Sequence, residues 1–139
     1  MVVPGPRRPV RVLIAEDQSI FADALALLLE TDERVEVVGL AANGQEAVDR
    51  ALSARADVIV MDMDMPVVDG LEATRRLQKQ LPEARVIVVS GLDPAVYEQR
   101  ALDAGATSYM VKGRIGAEMF EEILAASKRS RPAPRPGQA

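Results

Sequence analysis

The sequence predicts an α/β fold in which a parallel five-stranded sheet is covered by helices on both faces. Five short segments rich in valine and isoleucine alternate with five longer segments of helical character, as repeated β-α units require. The third and fourth short segments are almost continuously apolar, which is typical of a strand buried on both faces of a sheet. At 139 residues, 48% of them hydrophobic, the chain has the size and the core of one domain.

The elements follow one another in a regular order. The predicted strands cover residues 10–15, 35–40, 58–61, 86–89 and 108–111. The predicted helices cover about 20–30, 45–53, 71–80, 95–104 and 117–127. Phe21, Leu25, Leu28 and Leu29 recur at helical spacing and give the first helix an apolar stripe.

Turn residues support the boundaries of the later helices. Asp69-Gly70 and Asp93-Pro94 are helix start signals before the third and fourth helices, and Gly105 is a stop signal after the fourth. Asp69 is therefore predicted to be a turn residue rather than a catalytic one. Residues 1–9 are predicted to be disordered, and residues 128–139, rich in proline and arginine, to be a linker truncated before a further domain.

Composition excludes several kinds of site. The chain has no cysteine and no histidine, so thiolate or imidazole metal sites and histidine bases are absent. Between positions 9 and 127 it carries 11 basic and 21 acidic residues, a balance that disfavours binding to nucleic acid. No signal peptide and no apolar run of membrane-spanning length is present, which predicts a cytoplasmic protein without a membrane partner.

Acidic side chains follow two of the predicted strands. Glu16 and Asp17 come at the end of the first strand, and Asp62 comes at the end of the third. Because the carboxyl ends of parallel strands share one edge of the sheet, the three carboxylates are expected to meet there. Crowded carboxylates need a cation, and hard oxygen ligands favour Mg²⁺, so a magnesium site is predicted at this edge.

Two further polar residues reach the same edge. Ser90 follows the fourth strand and Lys112 follows the fifth. A hydroxyl and an ammonium beside a carboxylate-bound cation could hold the oxygens of a phosphoryl group. Either residue alone is more often a loop starter or a solvated charge, so the prediction rests on their arriving together.

These motifs resemble the receiver domain of a bacterial two-component response regulator. The resemblance covers about residues 11–127 and rests on the sequences LIAED, MDMDMPVVDG, VVSG and GATSYMVK. It implies a flavodoxin-like doubly wound (βα)5 sandwich of three layers, with strand order 2-1-3-4-5. The receiver domain is assigned to residues 10–127.

The resemblance also implies a role for each residue of the cluster. Asp62 matches the aspartate that accepts a phosphoryl group from a sensor histidine kinase, and Ser90 and Lys112 match the hydroxyl and the ammonium that contact that group. Glu16, Asp17 and Asp62, together with the backbone carbonyl of Asp64, match the Mg²⁺ ligands.

The resemblance also concerns two residues outside the acceptor cluster. Tyr109 matches an aromatic switch that works with Ser90, although packing on a short edge strand explains it equally well. The Asp64 side chain is expected to tune the lifetime of the phosphoryl group. Such a domain catalyses only its own phosphotransfer and slow dephosphorylation, so it is not an enzyme in the usual sense.

Residues 26–48 resemble the NarL/LuxR-type subfamily, whose receivers precede a helix-turn-helix domain. This similarity predicts a transcriptional output, homodimerisation on phosphorylation, and DNA binding only through a domain absent from this chain. Two alternatives remain at this stage. A pseudo-receiver or stand-alone interaction module would keep the fold without taking phosphate, and a haloacid-dehalogenase-like phosphatase would use the D-x-D motif of Asp62 and Asp64.

Overall fold

The computed structural model describes residues 8–114 and 116–128. Most of the predicted disordered N-terminal segment, 1–9, and of the predicted linker, 128–139, therefore lies outside the described residues. Within the described residues, each helix is too short to traverse a bilayer.

The order of the elements agrees with the sequence prediction, and most ends differ by one residue, as is usual for element boundaries. The described elements are β1 Val10–Ala15, α1 Ser19–Leu29, β2 Val35–Ala41, α2 Gly44–Ala54, β3 Val58–Asp62, α3 Gly70–Gln80, β4 Arg85–Ser90, α4 Pro94–Ala104, β5 Ser108–Val111, a 3-10 turn Lys112–Arg114 and α5 Ala117–Lys128.

The five described strands form one parallel sheet in the order β2-β1-β3-β4-β5, so the predicted topology is confirmed. Side chains of the central strands alternate between two hydrophobic clusters, one on each face. Ile59 and Val60, neighbours in β3, belong to different clusters, and each is at most 2% exposed. Helices α2, α3 and α4 cover the first cluster, and α1 and α5 cover the second.

The predicted turn residues act as helix caps. The Asp69 carboxylate accepts a hydrogen bond from the Glu72 amide at 2.8 Å, and the Asp93 carboxylate accepts one from the Ala95 amide at 2.9 Å. Gly105 ends α4 with φ 112°, a left-handed conformation that glycine adopts without strain. The predicted structural role of Asp69 is therefore confirmed.

The loop between β3 and α3 contains a strained residue. Val67 has φ 68°, a region that β-branched residues rarely adopt, and its side chain is 82% exposed. We expect Val67→Gly to raise the free energy of unfolding by about 1 kcal/mol, because glycine carries no Cβ that opposes the left-handed backbone. Urea denaturation of the two proteins measures this difference.

A matched control comes from α4, where Val96 is also an exposed valine, 53% accessible, but lies within a helix. Val96→Gly should lower the free energy of unfolding by roughly 0.5–1 kcal/mol, since glycine is a poor helix former. If Val67→Gly destabilises the protein as Val96→Gly does, the backbone strain at Val67 is not relieved by glycine.

Candidate functional site

Strand register places the predicted site residues at one edge of the sheet. Asp62, the last residue of β3, pairs with Val89, and the next residue of β4 is Ser90. Ser90 in turn pairs with the last residue of β5, and Lys112 follows directly. Glu16 follows the last residue of β1 and donates its amide to the Ala41 carbonyl of β2 at 2.8 Å.

The three acidic residues form a compact cluster, as the sequence predicted. One carboxylate oxygen from each of Glu16, Asp17 and Asp62 lies within 4.8 Å of the other two. Glu16 is 4% exposed and Asp62 is 5% exposed, whereas Asp17 lies on the surface. Two buried carboxylates and one exposed carboxylate therefore share a site that is open on one side.

Lys112 is the positive charge that balances this cluster in the described structure. Its Nζ lies 2.8 Å from a Glu16 oxygen and 3.5 Å from an Asp62 oxygen. Burial opposes the charge on Lys112, but hydrogen bonding and the negative charges of Glu16 and Asp62 outweigh it and raise the lysine's pKa. The close pairing with Glu16 was not predicted, because the resemblance assigned the glutamate to the metal and the lysine to the phosphoryl group.

Asp62 has the most perturbed environment of the site. Burial raises the pKa of Asp62 to about 8, and the hydrogen bond and like charge of Glu16 act in the same direction. Lys112 and the Asp64 amide, 3.4 Å from Asp62 Oδ1, act in the opposite direction but do not compensate. Without a cation, this environment therefore favours the protonated form of the Asp62 carboxyl.

The donor set fits a hard divalent cation. Glu16 Oε2 is buried and has no hydrogen-bond partner, so one negative oxygen of the cluster lacks compensation. A cleft of about 300 Å³ is lined by Glu16 and Asp17 and opens beside the cluster. The cluster offers the oxygen ligands that Mg²⁺ prefers, and these residues would hold such an ion.

Ser90 and Tyr109 both contact the loop between β4 and α4. Ser90 is 1% exposed, and its hydroxyl accepts a hydrogen bond from the Leu92 amide at 3.0 Å. The Tyr109 hydroxyl donates to the Leu92 carbonyl at 2.9 Å, while its ring packs half-buried against the first hydrophobic cluster. The structure thus connects the two residues through Leu92, and the predicted switching roles remain predictions.

Asp64 lies in the loop that follows Asp62. Its side chain is exposed at the rim, and its amide points to the Asp62 carboxylate. The loop is held in place where Gly70 packs against the Asp62 carbonyl, at a distance that leaves no room for a Cβ. The metal-binding role of the Asp64 carbonyl and the tuning role of its side chain remain predictions.

Phe21 belongs to this site although the sequence indicated only a core position. Its ring lies under the Lys112 ammonium, with 4.8 Å between Nζ and the ring centroid. Phe21 and Lys112 are far apart in the sequence, and α1 has to pack on the sheet before they meet. No local pattern in the sequence could have revealed this contact.

Comparison with known proteins agrees with this geometry. The family described as "Response regulator receiver domain" matches residues 12–124. The transcriptional regulatory protein LiaR of Bacillus subtilis (strain 168) is 38% identical over 121 residues, which are 86% of this chain and 56% of LiaR. This chain spans about half the length of the curated regulators it matches.

This chain is also similar to part of an enzyme and to a solved structure. A protein-glutamate methylesterase/protein-glutamine glutaminase of Pseudomonas putida is 40% identical over 116 residues, 82% of this chain but 30% of the enzyme. The signal receiver domain assigned to NarL of Mycobacterium tuberculosis superposes with a TM-score of 0.85 and 26% identity, covering 89% of this chain and all of that one. This chain belongs to the response regulator receiver family and is a receiver domain of the NarL/LuxR type.

Proposed function

We propose that the domain is a phosphorylation-activated switch whose acceptor is Asp62. The observation that carries this proposal is the position of the Asp62 carboxyl, buried at the end of β3 and 3.5 Å from the Lys112 ammonium. A carboxylate nucleophile beside a fixed positive charge suits the formation of an acyl phosphate. The donor would be the phosphohistidine of a sensor histidine kinase.

The chemical step is a phosphoryl transfer. An Asp62 oxygen forms a bond to phosphorus while the bond from phosphorus to the histidine nitrogen breaks, and the imidazole leaves with its electron pair. The transferred group then carries negative oxygens, which the Lys112 ammonium and the Ser90 hydroxyl would contact. Mg²⁺ held by Glu16, Asp17 and Asp62 would supply the positive charge that keeps Asp62 ionised and neutralises the phosphoryl oxygens.

The proposed response starts with Ser90. Movement of its hydroxyl toward a phosphoryl oxygen would break the hydrogen bond from Leu92, whose carbonyl also accepts from Tyr109. A change of charge at Asp62 would thus alter the conformation of the β4-α4 loop and, with it, the position of the Tyr109 ring on β5. This coupling supports the assignment of Ser90 and Tyr109 as switch residues.

The output proposed for the full protein is transcriptional, because the relatives include the transcriptional regulator LiaR. In this scheme phosphorylation controls homodimerisation, and DNA is bound through a separate C-terminal domain of a cytoplasmic regulator. Membership of the receiver family favours this function over the haloacid-dehalogenase-like phosphatase.

Intact-mass spectrometry after incubation with acetyl phosphate tests the proposed switch. A phosphoryl mass increment that accumulates with Mg²⁺ and is absent with EDTA would support it. Continuous consumption of donor without an adduct would instead indicate a phosphatase. If neither occurs, addition of a phosphorylated histidine kinase decides between a kinase-specific receiver and a pseudo-receiver.

The Asp64 side chain gives a separate prediction about the lifetime of the phosphoryl group. Asp64 is exposed at the rim of the site, two residues after the acceptor, and its carboxylate could accept a proton from an attacking water. We expect Asp64→Asn to be phosphorylated but to lose the phosphoryl group at least about threefold more slowly, through loss of general-base assistance. The decay of the mass increment after removal of donor measures this rate.

Glu83→Gln is the matched control, because it removes an equal charge from an exposed position before β4, at the opposite edge of the sheet. Its dephosphorylation rate should equal that of wild type. Equal decay rates for Asp64→Asn and Glu83→Gln would exclude a tuning role for Asp64.

A further inference from the structure

We propose that Phe21 is a positioning residue for Lys112 and that its ring face keeps the ammonium beside Asp62 during phosphoryl transfer. The inference rests on the function proposed above and adds to it a residue from α1. Phe21 touches neither the acceptor nor the transferred group in this scheme. It acts through the lysine.

Three groups from different parts of the chain surround the Lys112 ammonium. Glu16 after β1 lies 2.8 Å away, Asp62 at the end of β3 lies 3.5 Å away, and the centroid of the Phe21 ring lies 4.8 Å away. The lysine side chain is 24% exposed, so water covers only part of it. The negative face of an aromatic ring at this distance attracts an ammonium group.

The ring differs from the two carboxylates in one respect that matters for the reaction. A bound cation would compete for Glu16, and phosphorylation would turn Asp62 into an acyl phosphate, so both ion pairs of Lys112 would change. A phenyl ring neither titrates nor binds Mg²⁺, so its contact with the ammonium persists through these changes. Lysine has a flexible four-carbon stem, and a persistent contact limits the volume that its charge explores.

The position of the ring is itself well defined. Phe21 is half-buried and packs against the hydrophobic cluster beneath α1 and α5, and its neighbour Ala22 is 3% exposed. The side chain therefore has a structural role as well, and an experiment has to separate the two. The second phenylalanine of the chain makes this separation possible, because Phe120 on α5 packs against the same cluster.

The test compares the rate of phosphorylation by acetyl phosphate in Phe21→Leu, Phe21→Tyr and Phe120→Leu. Phe21→Leu keeps an apolar side chain but removes the ring face. We expect labelling to be roughly threefold to tenfold slower, the factor that corresponds to the free energy of one cation-π contact. Phe21→Tyr retains the ring and should restore the wild-type rate. Phe120→Leu makes the same change in another ring that packs against the same cluster, and it should leave the rate unchanged.

A fluorinated phenylalanine at position 21 removes the remaining ambiguity, since fluorine weakens the negative ring face with little change in shape. Its rate should fall toward that of Phe21→Leu. If Phe21→Leu labels as fast as wild type, or if the two leucine variants are slowed equally, the ring acts only in packing and the inference is wrong.

A double-mutant cycle on stability separates this inference from the proposed function. Phe21→Leu and Lys112→Met are combined in metal-free protein, and the free energy of unfolding is measured by urea denaturation. A coupling of roughly twofold to tenfold in the unfolding equilibrium constant supports the contact even if no variant takes phosphate. Additive effects of the two changes would contradict it.

Discussion

Asp62→Asn is expected to lose the phosphoryl adduct that the wild-type domain forms with acetyl phosphate and Mg²⁺. A carboxylate oxygen can attack phosphorus, whereas the neutral amide of asparagine is a poor nucleophile and gives no acyl phosphate. The neighbouring acids are poor substitutes for the Asp62 nucleophile. Glu16 is paired with Lys112 at 2.8 Å, and Asp17 is exposed after β1. Labelling should decrease by about a hundredfold or more, as expected for loss of the nucleophile.

Intact-mass spectrometry, followed by mapping of the labelled peptide, measures this loss. Glu83→Gln is again the control for charge, and it should be labelled as wild type is. Circular dichroism of Asp62→Asn confirms that the variant is folded. Normal phosphorylation of Asp62→Asn would refute the assignment of the acceptor, and the position of the label would then identify the residue that replaces it.

The same carboxyl should make the stability of the metal-free domain depend on pH. In unfolded protein Asp62 titrates near 3.8, but in the folded protein its pKa is raised to about 8. Between these values the folded state holds a proton that the unfolded state has released, so a rise in pH opposes folding. The free energy of unfolding should therefore fall by roughly 2 kcal/mol or more as the pH rises from about 4 to about 8.

Asp62→Asn tests the origin of this slope, because asparagine cannot ionise. In EDTA the variant should be more stable than wild type near pH 8. Residue 62 should then contribute little to the change in the free energy of unfolding between pH 4 and pH 8. Asp32, whose pKa the Arg34 hydrogen bond lowers from 3.8 to about 2, contributes mainly below pH 4. It is present in both proteins, so its contribution cancels when the two curves are compared. Urea denaturation at several pH values measures both curves.

Mg²⁺ provides a second check on the same curves. A cation bound by the acidic cluster favours the ionised carboxylates of the folded state, so it should stabilise wild type most at high pH. Asp62→Asn should gain less from the ion. A wild-type slope that is identical to that of Asp62→Asn, with and without Mg²⁺, would show that Asp62 is ionised throughout this range.

Much of the fold could be predicted because the relevant signals are local. The valine-rich runs around Ile59 and Val88 indicated central strands, and the capping residues Asp69 and Asp93 marked helix starts that the structure confirms. The left-handed backbone of Val67 could not be predicted, since valine disfavours it and the surrounding loop imposes it.

The sequence by itself determined which chemical groups are available and at which edge of the sheet they lie. The ends of parallel strands meet at one edge, so Glu16, Asp17 and Asp62 had to converge once the strands were recognised. Only the tertiary structure decided how these groups pair, with Lys112 closer to Glu16 than to Asp62 and above the ring of Phe21. The strands and their ends follow from short-range patterns, and the strand order from the resemblance to receiver domains. Side-chain contacts between distant segments depend instead on how each helix packs and rotates against the sheet.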